Sequence, residues 1–377
     1  MSDARGARRP TLTLSITARD AEQRLAMLLA EAARYADEIV VGVDRASTDG
    51  TWEVATGGAD RVFGFVHDGV TSPARMAGLE RASCDWILYL DDDEGMDAAF
   101  PELRDELLGS AGVTHWWLPR KWLTSFDPPE FLHAEPWWPN LSLRLARADT
   151  SRVWKPLDVH SGLRVIGPRG IEPRTSILHY ERIDHGPTAR AAKVAHYRAL
   201  GQDAGNDRFY DDAPGALRAA VRPRPLRDPA AAAPRRTAAV DPEVDDLRRR
   251  PRFPPWGAEV SVEMPARAAP GDVLLVTARA RNTGTLRWES SNSLVWPDLS
   301  LTYRVRCADG TLLPDRSERA RVGREVAPGE TADFICKVHV PEQPGAYVFE
   351  WQLLSELEHW FDSLGSQPAR CPLGVGA

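Results

Sequence analysis

The order of apolar and polar residues separates an N-terminal part, in which strands and helices alternate, from a C-terminal part made of strands. In the N-terminal part, apolar runs predict strands and segments with apolar residues three and four positions apart predict helices. The strands lie at 11–17, 38–43, 61–66 and 86–90, and the helices at about 20–36 and 72–83. Strands that alternate with helices indicate βαβ units and a parallel sheet.

Residues 111–185 have a weaker period and are rich in tryptophan, with short strands predicted near 141–146 and 162–166. A helix is predicted at about 187–200, because a proline occupies its first position, where no backbone N–H is needed. Together these segments complete a predicted α/β domain over residues 1–210.

Between residues 211 and 257, Ala, Pro and Arg dominate, and this composition predicts a flexible or partly extended linker. From 258 to 377 the period changes to two, in runs such as VSVEM, LSLTYRVRC and TADFICKVHV that are separated by turn sequences such as APGE and QPGA. Short strands at this spacing predict a β-sandwich. The predicted fold class is therefore an α/β domain followed by a smaller all-β sandwich.

The composition excludes several classes of protein. The chain has 377 residues, 43% of them apolar and 27% charged, which is typical of a globular protein of two domains. Its formal charge of −7 argues against nucleic acid or an anionic membrane surface as a partner. No apolar run reaches the roughly 20 residues of a transmembrane segment, and the basic N-terminal tail lacks the apolar core of a signal peptide. These features predict a cytoplasmic protein.

The cysteines Cys84, Cys307, Cys336 and Cys371 are scattered and do not have the spacing of metal ligands. Cys307 and Cys336 could meet across the sandwich. The favoured interpretation is that the cysteines are unpaired, buried thiols.

The strongest chemical signal is the sequence LYLDDDEG, in which an apolar run leads directly into Asp91, Asp92, Asp93 and Glu94. A strand this apolar is expected to be buried on both faces, and ligands of parallel α/β sheets bind beyond the carboxyl ends of the strands. Adjacent carboxylates raise one another's pKa unless a cation neutralises them, and hard divalent ions prefer oxygen ligands. The sequence therefore predicts a metal-using enzyme of a phosphorylated substrate. The alternative is an acidic cap at the start of a helix.

Four blocks occur in the order SITARD, EIVVGVDRASTDGT, SPARMAGLERASCDWILYLDDDE and ILHYERIDHGPTARAAKVAHYRA. In these blocks the N-terminal part resembles the family 2 glycosyltransferases, which have a GT-A nucleotide-sugar-binding fold, and it is most similar to bacterial members with a DxDE motif. The C-terminal part resembles, in VTARARNTGTLRW and PGAYVFEWQLLSE, the Ig-like domain appended to some bacterial glycosyltransferases.

The resemblance implies a site for a nucleotide-diphosphate sugar donor. Asp91 and Asp93 match the DxD motif, which implies that they bridge a divalent metal, Mn or Mg, to the donor diphosphate, with Asp91 also near the ribose. Asp92 could share this role. Asp44 matches a carboxylate that contacts the nucleotide base or ribose in the family, although Arg45 stands where a second aspartate is common.

The same resemblance implies further residues of the donor site. Thr17, Ala18 and Arg19 close the first strand, where the backbone of such folds wraps the nucleotide, and Arg75 matches a basic residue that faces it. His179, in the HY pair of the family, is expected to complete the metal shell or to hold the diphosphate. The alternatives are structural: a strand-to-helix turn, an exposed helical arginine and a buried histidine.

The catalytic base is less clearly marked. Transfer with inversion needs a base that takes the proton of the acceptor hydroxyl, and the candidates are Asp158 and His160, in the segment KPLDVHSG that is expected to face the acceptor. Ser161 follows the histidine where the family commonly has an acid. Asp184 and His185 are weaker candidates.

The predicted function is a metal-dependent, inverting glycosyltransferase whose acceptor is a hydroxyl of a glycan, a lipid-linked molecule or a small molecule. Trp137 and Trp138 are expected to line the acceptor side, whereas Trp360 is expected in the core of the sandwich. The alternative is a non-catalytic carbohydrate- or nucleotide-sugar-binding scaffold on a degenerate GT-A core, which hydrolysis of a nucleotide sugar would distinguish from an enzyme. The Ig-like domain is expected to recognise an acceptor, a protein partner or a second copy of the chain.

Overall fold

The computed structural model describes residues 8–67, 72–154, 163–199, 204–210, 218–220, 238–244, 256–290, 298–315, 317–355 and 359–376. In this part of the chain there are two compact units. Unit 1 contains the described residues from 8 to 150, residue 163 and those from 169 to 244. Unit 2 contains residues 151–154 and 164–168 and the described residues from 256 to 376. Two short segments from the middle of the N-terminal sequence therefore belong to unit 2.

The strands and helices are numbered through both units. The described strands are β1 (Leu12–Ala18), β2 (Glu38–Asp44), β3 (Arg61–Phe65), β4 (Trp86–Asp91), β5 (Glu94–Met96), β6 (His115–Phe126), β7 (Pro129–Leu132), β8 (Asn140–Arg147), β9 (Val153–Trp154), β10 (Arg164–Val165), β11 (Arg169–Ile171), β12 (Ile177–His179), β13 (Arg218–Ala220), β14 (Ala239–Val240), β15 (Ala258–Glu263), β16 (Arg267–Ala268), β17 (Val273–Asn282), β18 (Leu299–Cys307), β19 (Ala320–Arg321), β20 (Thr331–His339), β21 (Gly345–Ser355), β22 (His359–Trp360) and β23 (Ala369–Val375). The described helices are α1 (Glu22–Ala32), α2 (Thr51–Gly58), α3 (Ser72–Arg81), α4 (Phe100–Leu108), α5 (Glu181–Asp184) and α6 (Pro187–Ala199), with 3₁₀ turns at Ala204–Phe209 and Phe361–Leu364.

Unit 1 is built on a mixed sheet. Strands β3, β2, β1 and β4 are neighbours in that order and run parallel, and β8, β6 and β7 continue the sheet through antiparallel pairs. Every residue of β1 is buried, and so are the apolar residues of β4, because parallel strands of α/β proteins are covered on both faces. This architecture confirms the predicted α/β class and the GT-A-like sheet.

The register of the sheet brings polar residues to one edge. Thr17, near the end of β1, pairs with β2 on one side and with Asp91 of β4 on the other. Strand β12 lies between β5 and β6, so that His179 pairs with Glu94 and with Trp122. Residues that are far apart in the sequence therefore meet where the parallel strands end.

The tryptophan-rich region is more regular than its sequence predicts. Its segment HWWLPRKWLTSF forms the single strand β6, of 12 residues, and its pairing with β7 shifts register between Leu123 and Ser125, where Thr124 is the extra residue in β6. A shift of this kind inserts an extra residue into a strand and breaks the alternation of apolar and polar positions. The sequence therefore lacks the period of two that would have predicted β6.

Part of the segment for which the sequence predicts a linker pairs with the sheet of unit 1. Strand β13 pairs with β7, and β14 extends the parallel sheet beyond β3. Asp241 accepts a hydrogen bond from Arg61 at 3.1 Å, and Glu243 accepts one from Arg45 at 2.6 Å. These contacts hold the described residues 238–244 against an edge strand that would otherwise be unpaired.

Unit 2 is a sandwich of two sheets, which confirms the predicted all-β domain. One sheet contains β15, β17 and β20, and the other contains β16, β23, β21, β18 and β19 with β22 beside β21. Both sheets contribute to a core in which Trp288 and Trp351 are fully buried. Trp360 is only partly buried, so the expectation that it fills the core is wrong. The cysteines are free thiols, and the described residues contain no helix that is long and apolar enough to span a membrane.

We expect His115 to make unit 1 less stable in acid. His115, on β6, is 5% exposed, and its burial, together with the charge of Arg169, lowers its pKa from 6.5 to about 4. Between these values the unfolded chain binds a proton that the folded chain does not. The free energy of unfolding therefore decreases as the pH falls from the unfolded to the folded pKa, by roughly 3 kcal/mol.

Chemical denaturation of the wild type and of His115→Gln, at neutral pH and at the folded pKa of His115, measures this effect. The wild type should lose roughly 3 kcal/mol more than the variant between the two conditions. A difference in stability that is the same in both conditions would contradict the expectation.

Candidate active site

A cleft of about 440 Å³ opens in unit 1 at the carboxyl ends of β1, β2 and β4. Its volume is in the range of small-molecule sites, and open parallel sheets bind their ligands at this position. Its described lining contains as many cations as carboxylates, namely Arg19, Arg75, Arg120 and Lys193 beside Asp44, Asp91, Asp92 and Asp93. Because the cations and the carboxylates are equal in number, a ligand with several negative charges would give the cleft a net negative charge unless a cation accompanied it.

Glu94 anchors the acidic turn beneath the cleft. Its side chain is fully buried and accepts two hydrogen bonds from Arg144, at 2.7 and 2.8 Å. It also accepts the backbone N–H of Asp91 at 3.2 Å. Since Arg144 lies on β8, which pairs with β4, this network fixes the turn to the sheet. The last acid of the motif is therefore structural.

Asp91 is held between two arginines. Arg75, from α3, donates to Oδ1, and Arg144 donates to Oδ2 at 3.1 Å. Burial raises the pKa of Asp91, but these two cations outweigh burial and hold that pKa well below its usual range. Asp91 is therefore an ionised carboxylate, and a metal ion would have to compete with Arg75 for Oδ1.

Asp92 and Asp93 lie in different surroundings. Oδ2 of Asp92 accepts the backbone N–H of Arg19 at 2.9 Å, which ties the end of β1 to the acidic turn. Burial, with the adjacent charge of Asp93, raises the pKa of Asp92 to about 8. Burial acts on Asp93 in the same direction, but the positive charges of His179, in its protonated form, and of Lys193 lower the pKa of Asp93 below its ordinary value. Environment thus keeps Asp93 ionised beside a protonated Asp92.

Asp93 and His179 fit two ligands of a divalent ion. Oδ2 of Asp93 lies 3.5 Å from Nε2 of His179, and burial lowers the pKa of His179, which leaves the imidazole neutral and able to bind a metal. Among the described residues, no group of three or more His, Cys, Asp and Glu side chains could hold an ion by itself. An ion here would take its other ligands from phosphate oxygens and water, as Mg²⁺ commonly does.

Asp44 lies at the end of β2, on the other side of β1 from the acidic turn. It is 1% exposed, and its Oδ1 accepts the backbone N–H groups of Ala46 at 3.1 Å and His67 at 3.3 Å. Its Oδ2 has no hydrogen-bond donor within the described part of the chain and lies 3.4 Å from Nη1 of Arg19. A buried carboxylate oxygen without a donor is costly, so this atom is ready to accept an N–H or O–H group of a ligand.

Aromatic rings line another part of the cleft. Trp122, on β6, stacks on Phe209 with ring centroids 5.6 Å apart and an angle of 13° between the rings. Its centroid is also 4.1 Å from that of His179. A flat apolar wall therefore stands directly beside the two proposed metal ligands.

Lys193 adds a cation next to this wall. It lies one turn before Tyr197 on α6, and its Nζ forms an ion pair with Glu181. Burial lowers the pKa of Lys193, but Asp93, Glu181 and nearby tyrosines outweigh burial and raise that pKa above its ordinary value. Lys193 is thus a charged amine that lines the cleft close to Asp93.

The cleft gathers the residues that the family resemblance assigns to the donor site. Its described lining includes Thr17, Ala18, Arg19, Asp44, Arg75, Asp91, Asp93 and His179. The predicted bases Asp158 and His160 lie outside the described residues.

Other predicted residues lie elsewhere. Asp184 forms an ion pair with Arg24, and His185 lies 3.3 Å from Glu181. Trp137 is buried and donates to the carbonyl of Phe209. Neither Trp137 nor Trp138 belongs to the described lining of the cleft, where Trp122 takes the expected aromatic place.

Sequence reasoning missed Arg120, Trp122 and Lys193. Arg120 and Trp122 lie on β6, which the sequence did not predict as a strand. A signal for Lys193 was present, because it is one of four lysines among 47 basic residues, and Tyr197 follows at the spacing of one helical turn.

Residues 13–104 match the family described as Glycosyl transferase family 2. The match extends from β1 to α4 and contains both Asp44 and the acidic turn. Unit 1 holds a family 2 glycosyltransferase domain. The glycosyltransferase also matches, over residues 262–363, the family described as Ig-like domain from next to BRCA1 gene, and unit 2 is therefore Ig-like. Both predicted resemblances are confirmed.

Comparison with solved structures gives only distant likenesses. The alignment with TarS of S. aureus covers 97% of this chain and 78% of the TarS chain, at 10% identity and a TM-score of 0.34. The alignment with TarS 1–349 in complex with UDP-GlcNAc covers 53% of this chain and 70% of that chain, at 11% identity and a TM-score of 0.33. The alignment with the CARDB domain of PF1109 from Pyrococcus furiosus covers 33% of this chain and 96% of that domain, at 15% identity and a TM-score of 0.21. Likenesses at this level carry no argument about activity. No curated protein matches the sequence.

We expect Arg144→Met to destabilise unit 1 by about 3–5 kcal/mol, because it leaves the buried carboxylate of Glu94 without its main partner. Arg9→Met is the matched control, since Arg9 and its partner Asp105 are 65% and 57% exposed. An exposed ion pair contributes at most about 1 kcal/mol. Chemical denaturation measures both changes, and equal losses in the two variants would show that the buried network is not the anchor of the turn.

Proposed function

We propose that this glycosyltransferase moves a sugar from a nucleotide-diphosphate donor to an acceptor hydroxyl, with a divalent ion at the diphosphate and inversion at the sugar carbon. The observation that carries the proposal is the pairing of Asp93 with His179, 3.5 Å apart, at the carboxyl end of β4. One cleft joins this pair to Oδ2 of Asp44, which has no hydrogen-bond donor among the described residues. A nucleotide-diphosphate donor needs a carboxylate that binds its nucleoside and ligands for an ion at its phosphates. Asp44 can supply the first, and Asp93 and His179 can supply the second.

The nucleoside would bind at Asp44. Its buried Oδ2 can accept an N–H of a base or a ribose hydroxyl, and that hydrogen bond would remove the cost of an unsatisfied buried oxygen. The backbone of Thr17 and Ala18 lines the same part of the cleft, and Arg19 is fixed there by the bond of its N–H to Asp92. The backbone at residues 17–19 would therefore already be ordered before the nucleoside binds.

The diphosphate would bind at Asp93 and His179 together with Mn²⁺ or Mg²⁺. When bound, the ion would neutralise the charge that develops on the departing nucleoside diphosphate. The near balance of charges in the described lining supports this proposal, because a diphosphate carries more than one negative charge and would by itself leave the cleft with a negative excess, even with Asp92 protonated. Asp91, which the DxD motif also assigns to the metal, would join the shell if Arg75 turned from its Oδ1 to the phosphates.

The acceptor would approach along Phe209, which is partly exposed and stacks on the buried Trp122, so that its ring offers an apolar surface to a sugar face. Lys193, charged and adjacent to Asp93, would bind a phosphate oxygen of the leaving group. Direct attack by the acceptor hydroxyl inverts the sugar carbon and requires one base, for which Asp158 and His160 remain the proposed residues.

Donor binding tests the proposal directly. The wild type is titrated with UDP, GDP, CDP, dTDP and ADP, each with Mn²⁺, with Mg²⁺ and with EDTA, and thermal unfolding is followed. A ligand that binds only the folded state stabilises it by about 2.7 kcal/mol at a hundredfold excess over Kd. We expect one nucleotide to raise Tm only in the presence of metal, and both Asp93→Asn and His179→Ala to abolish the increase.

Asp333→Asn is the control, because Asp333 is 79% exposed and lies in unit 2. It should bind the nucleotide as the wild type does. If no nucleotide raises the wild-type Tm with either metal, the donor site as proposed does not exist, and the alternative of a scaffold on a degenerate core gains support.

The proposed bases are tested by hydrolysis of the sugar nucleotide whose nucleoside diphosphate binds, with water in place of the acceptor. A positioned base contributes about 10²–10⁴-fold to such a step. We expect Asp158→Asn or His160→Gln to lower kcat by at least about a hundredfold while the affinity for the nucleotide is unchanged. His185→Gln is the control and should retain the rate; a loss there, with none at the other two positions, would move the base to His185.

A further inference from the structure

Unit 2 contains a cleft of its own, of about 800 Å³, that does not involve the donor site. Strands β18 and β21 form part of its wall, and the segments 312–315 and 339–343 form the rest. Trp360 of β22 lines it and is partly exposed, unlike the tryptophans of the core. A site of this size that presents one large aromatic ring has the form of a small-molecule or oligosaccharide site.

The Trp360 ring is fixed in place before any ligand binds. The guanidinium carbon of Arg304 lies 4.8 Å from the centroid of the ring, and Arg304 is itself held by an ion pair with Asp362. A second guanidinium, that of Arg319, lies 6.0 Å from the same centroid. Cation–π contacts of this kind stabilise one orientation of the ring, so a ligand that stacks on Trp360 need not order it first.

Arg304 also offers a hydrogen bond that the described residues do not use. Its Nε is buried and has no acceptor within the described part of the chain. A buried N–H without an acceptor costs free energy, and Arg304 lines the cleft. An oxygen atom of a ligand stacked on the adjacent Trp360 would satisfy it. The ring and the donor therefore specify a ligand that has both a flat apolar face and hydroxyl oxygens.

The charges around the cleft favour a neutral ligand. Arg319 pairs with Asp315 at 2.9 Å, as Arg304 does with Asp362. Glu318 pairs with Lys337 at 2.9 Å. Apart from Glu342, which also lines the cleft, these described cations and carboxylates lie together in pairs, so they leave no positive field that would select an anion such as a phosphate or a nucleic acid.

The strand beside the cleft is not available to an extended peptide. Peptides that add to a sheet form main-chain hydrogen bonds with a free strand edge. At the end of β18, the N–H of Cys307 already donates to the carbonyl of Thr311, and the carbonyl of Val305 already accepts the N–H of Leu313, both at 2.9 Å. The chain itself covers this edge, which removes the usual reason for a peptide to bind.

We propose that this cleft of the Ig-like unit binds a neutral oligosaccharide, with a sugar ring stacked on Trp360 and a hydroxyl or ring oxygen on Nε of Arg304. The apolar side chains of Leu313 and Pro314 line the same cleft and suit the C–H groups of the sugar. Since the site shares no residue with the donor cleft, the proposal stands independently of the donor and the metal.

An array of immobilised neutral oligosaccharides, built from glucose, galactose, mannose, rhamnose, N-acetylglucosamine and N-acetylgalactosamine, tests this with the full-length protein. Calorimetric titration with each retained oligosaccharide then gives Kd. We expect the wild type to retain a subset of the array, Trp360→Ala to weaken binding at least tenfold, and Trp360→Phe to recover part of the loss. Arg304→Gln provides a second variant of the site and should weaken binding several-fold.

The controls separate this site from the donor cleft and from misfolding. Trp122→Ala and Asp93→Asn should keep the oligosaccharide affinity, whereas Trp360→Ala should keep the metal-dependent nucleotide binding. Leu275→Ala, at a residue that is 76% exposed and outside the cleft, should bind as the wild type does. A wild type that retains no oligosaccharide, or a Trp360→Ala variant with wild-type Kd, would overturn the proposal; loss in Trp122→Ala alone would assign the binding to the donor cleft.

Discussion

The donor cleft depends on a buried ion pair between Glu94 and Arg144. Four acidic residues follow one another at the end of β4, and without cations their mutual repulsion would oppose the tight turn that they form. Arg144 removes most of this repulsion by binding the deepest carboxylate through two hydrogen bonds and Asp91 through a third. The acids of the motif therefore have different roles. Glu94 holds the turn, and Asp91, Asp92 and Asp93 line the cleft.

That division explains why the acids of the turn are not equivalent. Asp91 is neutralised by arginines, Asp92 holds the end of β1 through the N–H of Arg19, and Asp93 faces His179. Only Asp93 combines an ionised side chain with a neighbour that can share a metal ion. The sequence shows three identical side chains in a row, whereas their surroundings give each a different partner and raise the pKa of Asp92 alone.

The sequence predicted best those site residues whose position follows from the strand that they end. The strands that end in Asp44 and Asp91 have apolar runs that any parallel sheet requires, so both residues could be placed at the carboxyl edge. Trp122 and Lys193 could not, because they reach the cleft through long-range pairing: β6 has an irregular register, and α6 follows a region without a clear period. The tryptophans showed the same limit, since period and composition do not tell which side of β6 or of the sandwich a ring will occupy.

The arrangement of charges distinguishes the donor cleft from the cleft of the Ig-like unit. In the donor cleft, carboxylates and cations surround an ionised Asp93 and an oxygen of Asp44 that has no hydrogen-bond donor among the described residues. The site therefore suits a charged ligand that brings its own counterion. In the cleft of the Ig-like unit both arginines near Trp360 lie in ion pairs, and the buried N–H of Arg304 beside the ring of Trp360 has no acceptor among the described residues. A polar group without a partner at the wall of a cleft costs stability, and a ligand that forms the missing hydrogen bond recovers that cost. The acceptor oxygen in one cleft and the donor N–H in the other therefore argue for two different ligands.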